Sequence, residues 1–172
     1  MNLYDATTEL HHTAEQHSFG SRMALGELSA DEWAGWLHSL LVVHVALDAH
    51  LPGCVSRAET LADDYLASGG VVPPAPAARQ YASELATASE ETVLGAAYIF
   101  CGAHLRGGAV IRKRLEPKGI QCDHLRFGDQ AREADQFLKS LRERPELAEA
   151  AREAFRRVIG IMGDLDAAPG RV

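Results

Sequence analysis

The chain has 172 residues and a formal net charge of −7, so it lacks the basic face that a nucleic-acid-binding domain needs. Hydrophobic residues make up 47% of it, and the length predicts a single globular domain over residues 1–172. The sequence shows no basic amphipathic segment for a membrane surface, no signal peptide and no metal-binding spacing among its cysteines. We therefore expect a cytoplasmic protein with no nucleic-acid or membrane partner.

Apolar residues recur at helical spacing along almost the whole chain, and no alternating strand pattern of useful length is found. The first helix is expected to be capped near Asp5 or Thr7, and the second begins at a capping pattern led by Ser29. The predicted helices span residues 5–18, 29–51, 56–68, 76–88, 89–115, 129–143 and 146–166. The sequence thus predicts an all-α fold of about seven helices, with a loop over 116–128 and a frayed tail over 167–172.

The predicted helix that ends near Leu115 carries Gly102, Gly107 and Gly108 in its second half. Each interior glycine costs a helix about 1 kcal/mol relative to alanine. Three of them cost roughly 3 kcal/mol, out of a stability of about 5–15 kcal/mol for a small domain. Such a cost indicates that a flat ligand lies against the backbone or that a neighbouring helix packs tightly on it. The segment is nearly long enough to cross a bilayer, but it contains His104 and basic residues, so we interpret it as a buried helix.

The eight histidines are the other unusual feature of the composition. His44 and His104 lie on apolar helix stripes, where a buried histidine needs a hydrogen-bonding partner. Four others are expected to be solvated: His12, His17, His50 and His124. His11 with Glu15, and His44 with Asp48, are i,i+4 pairs that could hold a non-haem metal within a bundle. A single neutral histidine could instead be an axial ligand of haem, and the residues alone leave both readings open.

Three segments of the chain resemble haem oxygenases. Residues 6–15, Ala-Thr-Thr-Glu-Leu-His-His-Thr-Ala-Glu, are similar to the family's first helix, in which a histidine shortly before an Ala-Glu pair ligates the iron. The match implies that His11 is the iron ligand and that Glu15 accompanies it. Residues 98–113 resemble the family's distal helix, which bends over the haem at a run ending in Gly-Gly-x-Val. Phe155 occupies the position of an aromatic residue that contacts the macrocycle from the final helix.

This resemblance implies an all-α fold in which haem lies between the first and the distal helix. It also implies that haem is cleaved to biliverdin, CO and ferrous iron, using O₂ and electrons from a ferredoxin or a flavin reductase. The residues that it places at the haem are His11, Glu15, Tyr98, Gly102, Ala103, Gly107, Gly108 and Phe155. Lys139 and Arg142 on the penultimate helix are the candidates for binding the propionates, with solvated surface charges as the alternative.

The chain departs from the family pattern on the distal side. His104 stands where many members have an aspartate, Ala103 replaces a glycine, and His44 stands where a tyrosine is common. The two histidines could hold water and deliver protons near neutral pH. Alternatively, His104 could ligate the iron, which would make the protein a haem carrier or sensor. A non-haem metal oxidase with ligands such as Glu15, His44, Asp48 and His104 is the third hypothesis.

Overall fold

The computed structural model describes residues 1–168, and this part of the chain is helical without any β-strand. Its α-helical segments are α1 (Leu3–Gln16), α2 (Ser18–Leu25), α3 (Ala30–Asp48), α4 (Ala58–Ala67), α5 (Pro76–Leu85), α6 (Glu90–Gly102), α7 (Gly108–Leu115), α8 (Ala131–Arg142) and α9 (Ala148–Asp166). A π-helical stretch, Ala103–Gly107, joins α6 to α7 and is called the π segment below. The three pieces belong to one continuous helix over Glu90–Lys118, which we call the bent helix because π-helical turns are a common cause of helix kinks. The predicted all-α fold is confirmed.

The first helix begins earlier than predicted. The side chain of Asn2 accepts a hydrogen bond from the backbone N–H of Asp5, so that α1 starts at Leu3. The expected caps at Asp5 and Thr7 are therefore wrong. The sequence pattern favoured them because their side chains are good cap acceptors, but Thr7 instead donates its hydroxyl to the backbone carbonyl of Leu3.

The predicted helix over 5–18 is also broken near its end. His17 adopts an extended conformation after α1, and its Nδ1 accepts a hydrogen bond from the backbone N–H of Phe19. His17 is thus a partly buried cap, not a fully solvated side chain. It begins α2, a helix that the sequence analysis missed because eight residues are too few to show a clear helical period.

Later helices follow the sequence more closely. Ser29 and Glu32 form the complete capping box that opens α3, with each side chain accepting a hydrogen bond from the other residue's backbone N–H. The expected loop over 116–128 holds short 3₁₀ turns, including Asp123–Leu125. α9 ends at Asp166, and residues 169–172 of the predicted tail lie outside the described part of the chain.

The core lies between α3, α6 and α9. α9 packs against α1, α5 and α6, while α3 packs against α4 and α5. α6 approaches α9 so closely that a Cβ added at Gly95 would lie 2.5 Å from the Cβ of Ala150. Leu37, Leu47 and Ile161 are fully buried in this core, and each such side chain contributes about 1.5–3 kcal/mol. Both α1 and the bent helix therefore pack against this buried core.

The bent helix, over Glu90–Lys118, is the one helix within residues 1–168 that is long and apolar enough to cross a membrane. More than half of its most apolar window is buried against the rest of the fold. This burial is typical of the core helix of a globular protein, as the sequence analysis expected.

Candidate active site

The glycines of the bent helix divide into two groups. A Cβ added at Gly108 would lie 3.1 Å from Leu125, and one at Gly95 would collide with Ala150, so packing explains both. A Cβ added at Gly102 or Gly107 would meet no atom from elsewhere in residues 1–168 within 4 Å. Packing therefore accounts for two glycines and leaves about 2 kcal/mol of helix propensity unexplained at Gly102 and Gly107.

The backbone of the same region is distorted. The π segment, Ala103–Gly107, begins directly after Gly102 and ends at Gly107. π-helical turns are rare, and they occur frequently at functional sites because the extra residue re-aims the side chains around it. Ala103, Arg106 and Gly107 are exposed there, whereas His104 is turned inward and is only 4% exposed. Gly102 is buried, but it and Gly107 carry no side chain, and Ala103 between them adds only a methyl group.

His11 stands on the exposed side of α1, with 57% of its side chain accessible. Its ring meets Phe155 of α9 edge-on, with 5.9 Å between the ring centroids. Its Nδ1 lies 3.6 Å from Glu15, which lies equally close to Nδ1 of His12. Within residues 1–168 these three residues are the one set of at least three His, Cys, Asp or Glu side chains whose ligand atoms all lie within 4.8 Å of one another. A carboxylate near Nδ1 can orient the ring and leave Nε2 for a metal.

His44 and His104 meet in the core, with their Nε2 atoms 2.9 Å apart. Nδ1 of His44 lies 3.3 Å from the carboxylate of Asp48, to which it donates a hydrogen bond. In the neutral pair, Nε2 of His44 then accepts the hydrogen of His104 Nε2, which leaves Nδ1 of His104 as an acceptor. A chain of hydrogen bonds therefore runs from Asp48 through His44 to the π segment.

Burial and hydrogen bonding shift the pKa values of Asp48 and His104. Burial, with the nearby His44, His124 and Arg57, lowers the pKa of His104 well below its usual value. Burial alone would raise the pKa of Asp48. Hydrogen bonds from His44 and from the backbone N–H groups of Ala58 and Arg57 outweigh it and lower that pKa. Asp48 is therefore an ionised carboxylate that anchors the pair of His44 and His104.

His124 is placed differently from the sequence prediction, which expected a solvated side chain. It is 1% exposed, and its ring stands at 86° to that of His104 with 5.3 Å between centroids. Its Nδ1 donates a 2.6 Å hydrogen bond to Asp64 of α4. A position in a loop carries no helical period, so periodicity could not show this burial. The apolar neighbours Cys122 and Leu125 were the sequence signal that could have done so.

The propionate candidates, Lys139 and Arg142, lie on α8. Lys139 is 66% exposed and pairs with Asp135. Arg142 reaches towards α1, where its guanidinium stands 5.3 Å from the ring centroid of Tyr4. On the bent helix, Arg106 stands 5.8 Å from the ring of the buried Tyr98, a cationic neighbour that the sequence analysis did not single out.

A sequence model of the family described as heme oxygenase matches residues 1–163 of this chain. The chain belongs to the haem oxygenase family. A comparison with curated proteins gives no significant match.

Solved structures of haem oxygenases share the fold. One is haem oxygenase 1 of the cyanobacterium Synechocystis in complex with haem, with a TM-score of 0.81 and 16% identity, matched over 95% of this chain and 90% of that one. Haem oxygenase 2 of Synechocystis, in complex with haem and NO, has a TM-score of 0.78 and 23% identity, over 95% and 83%. The enzyme of Leptospira interrogans gives 0.78 and 17%, over 93% and 96%.

Proposed function

We propose that the chain is a cytoplasmic haem oxygenase that cleaves haem to biliverdin, CO and ferrous iron. O₂ and electrons from an external donor, such as a ferredoxin or a flavin reductase, complete the reaction. The observation that carries the proposal is a wall without side chains at Gly102 and Gly107, where an added Cβ would meet no atom from elsewhere in residues 1–168, on the bent helix of a member of this family. A flat macrocycle is the class of ligand that such a wall fits, and it explains the glycines that packing does not.

His11 is the proposed iron ligand on the other side of the haem. Its side chain is accessible, Phe155 restrains its ring, and Glu15 lies near Nδ1. Nε2 is then the nitrogen that binds iron. Because His11 is exposed on α1, its ring contributes little to the stability of the fold and is available to bind a ligand. Tyr98, Ala103, Gly108 and Phe155 are proposed to complete the contacts with the macrocycle.

Haem supplies both the iron that binds O₂ and the porphyrin carbon that is oxidised. On the distal side of the haem, the hydrogen-bonded residues Asp48, His44 and His104 are the groups that would act. With Nε2 of His104 donating to His44, Nδ1 is left as an acceptor that would hold a water molecule by one of its hydrogens, and the second hydrogen of that water would be available for donation on the distal side. The pair would thus replace the aspartate and tyrosine that the family commonly uses there.

The same contact weighs against the haem carrier or sensor. Ligation of iron by His104 would require its ring to leave a 2.9 Å hydrogen bond and a buried position in the core. A non-haem metal oxidase fits less well. Glu15 lies on the exposed surface of α1 with His11 and His12, whereas His44, Asp48 and His104 form a separate cluster in the core.

Binding of the propionates is proposed for Arg142 with Tyr4, since both lie where α8 meets α1. The Nε atom of Arg142 is buried and makes no hydrogen bond in residues 1–168, although it forms a long ion pair of 3.8 Å with Glu143, so a ligand oxygen would supply the missing hydrogen bond. Lys139 is proposed as a second, more exposed contact that would have to exchange its ion pair with Asp135.

The direct test is titration of the purified chain with haem, followed by turnover driven by ascorbate or by a ferredoxin and its reductase. We expect a Soret band with saturable one-to-one binding, then its replacement by a biliverdin spectrum with release of CO. Stable haem under reducing conditions with O₂ would contradict the enzymatic proposal. Two irons bound per chain in haem-free protein would favour the non-haem oxidase.

A further inference from the structure

His104 lies on the bent helix between Gly102 and Gly107, the two glycines where an added Cβ would meet no atom from elsewhere in residues 1–168. Imidazole is a strong iron ligand, and a histidine at this place has the chemistry to occupy the position where O₂ must bind. A haem oxygenase with a histidine here therefore needs something that keeps the ring away from the iron. His44 supplies one restraint, through the Nε2–Nε2 contact of 2.9 Å.

A second restraint comes from His124. The ring of His124 stands against that of His104 at 86°, with 5.3 Å between centroids, and both rings are buried. The ring of His104 is therefore enclosed between an imidazole from α3 and one from the turn Asp123–Leu125. A side chain enclosed on two sides loses the rotamer freedom that it would need to swing outward.

Asp64 fixes this turn to α4. Its Oδ2 accepts hydrogen bonds from Nδ1 and from the backbone N–H of His124, at 2.6 and 2.8 Å. Its Oδ1 accepts two more, from the backbone N–H of Asp123 and from Nε2 of Gln121, both at 3.0 Å. Four donors occupy the acceptor sites of one buried carboxylate, so the turn has little freedom to shift.

The same turn also supports the bent helix itself. Leu125 packs so closely on the first residue of α7 that a Cβ added at Gly108 would lie 3.1 Å away. Two neighbouring parts of the bent helix are thus contacted by this turn: His124 contacts His104, and Leu125 contacts Gly108. One aspartate on α4 holds both contacts in place.

We infer that the Asp64–His124 pair is a positioning device that holds His104 in the core and off the haem iron, so that the coordination position opposite His11 stays open. The inference rests on the proposed haem site. It gives a role at the haem site to Asp64, in the middle of α4, and to His124, in a loop. A pair that only anchored the loop would leave the coordination of iron unchanged.

The test compares the ferric haem complexes of the wild-type chain, His124→Leu and Asp64→Asn by electron paramagnetic resonance and absorption. The wild type should be high-spin, with water or nothing opposite His11. Both variants should shift towards a low-spin spectrum with two imidazole ligands, and their azide affinity should fall by roughly tenfold, equivalent to about 1.4 kcal/mol. Adding His104→Ala to either variant should restore the high-spin spectrum.

Matched controls are Asp63→Asn, an exposed neighbour on α4, and His50→Leu, an exposed histidine. Asp64→Asn keeps the side-chain shape, so it remains informative if His124→Leu does not fold. Folded variants that keep the wild-type spectrum would overturn the inference, as would a low-spin spectrum that survives His104→Ala or a wild type that already has two imidazole ligands. Failure of the wild type to produce biliverdin would instead count against the proposed function, since these spectra require only haem binding.

Discussion

The two sides of the proposed haem site are built in opposite ways. On the α1 side, His11 and Glu15 are largely exposed, and Phe155 is the main neighbour that restrains the ligand. On the side of the bent helix, His44, His104 and His124 are buried and joined to two aspartates of different helices. Haem binding on the α1 side therefore depends on a single side chain. On the side of the bent helix, the site depends on a hydrogen-bonded network whose members hold one another in place.

The largest effect should come from the side that depends on one residue. His11→Ala should weaken haem binding by about 100-fold or more, roughly 2.8 kcal/mol, while the fold is unchanged because the side chain is exposed. Absorption titration measures the affinity, and added imidazole should restore the Soret band. His12→Ala is the matched control one residue away. Equal losses in the two variants would contradict the assignment of the iron ligand.

Replacing a histidine of the buried network should leave haem binding intact and slow the cleavage of haem. We expect His104→Leu to bind haem with near wild-type affinity but to form biliverdin roughly 100-fold more slowly, the range that loss of a positioned proton donor produces. Single-turnover kinetics on the preformed haem complex measure this step. His38→Leu, on the same helix as His44 but bonded to the carbonyl of Val72, is a control for loss of a helix histidine. Unchanged turnover in His104→Leu would remove the distal pair from the mechanism.

The glycines separate stability from binding on the bent helix. Gly95→Ala should destabilise the fold by about 1–3 kcal/mol, because its Cβ would collide with Ala150. Gly102→Ala should instead stabilise it by about 0.4–1 kcal/mol, since Gly102 has helical φ and ψ and open space at Cβ. Urea unfolding of the haem-free chain measures both changes. Gly102→Leu should fold and yet weaken haem binding, and normal haem affinity in that variant would argue against a macrocycle at this wall.

The smallest expected effect is the dependence of stability on pH. Burial lowers the pKa of His104 and His124, the latter despite a hydrogen bond to Asp64, so the unfolded chain binds protons that the folded chain does not. Stability should be complete above about pH 6.5, the ordinary value for histidine, and should fall as the pH decreases from there. The lowered pKa of Asp64 adds a further loss below about pH 4. His104→Leu should flatten the first decline in urea unfolding curves, whereas His50→Leu should not.

The sequence predicted the fold class, the capping box at Ser29 and the positions of most helices, because these follow from local spacing and cap chemistry. It missed α2, whose start depends on a histidine cap, and the burial of His124, which depends on Asp64 sixty residues away. Histidine is not among the preferred cap residues, and the contact of His124 with Asp64 joins distant parts of the sequence. The sequence also could not tell which glycines of the bent helix are packed, since Ala150 and Leu125, which decide this, belong to other elements.

The most direct measurement is the position of iron in crystals of the haem complex, located by anomalous diffraction at the iron edge. We expect one iron at bonding distance from Nε2 of His11, with the macrocycle lying against Gly102 and Gly107 and His104 still bonded to His44. Iron bound elsewhere, or a haem that leaves the wall at Gly102 and Gly107 uncovered, would contradict it.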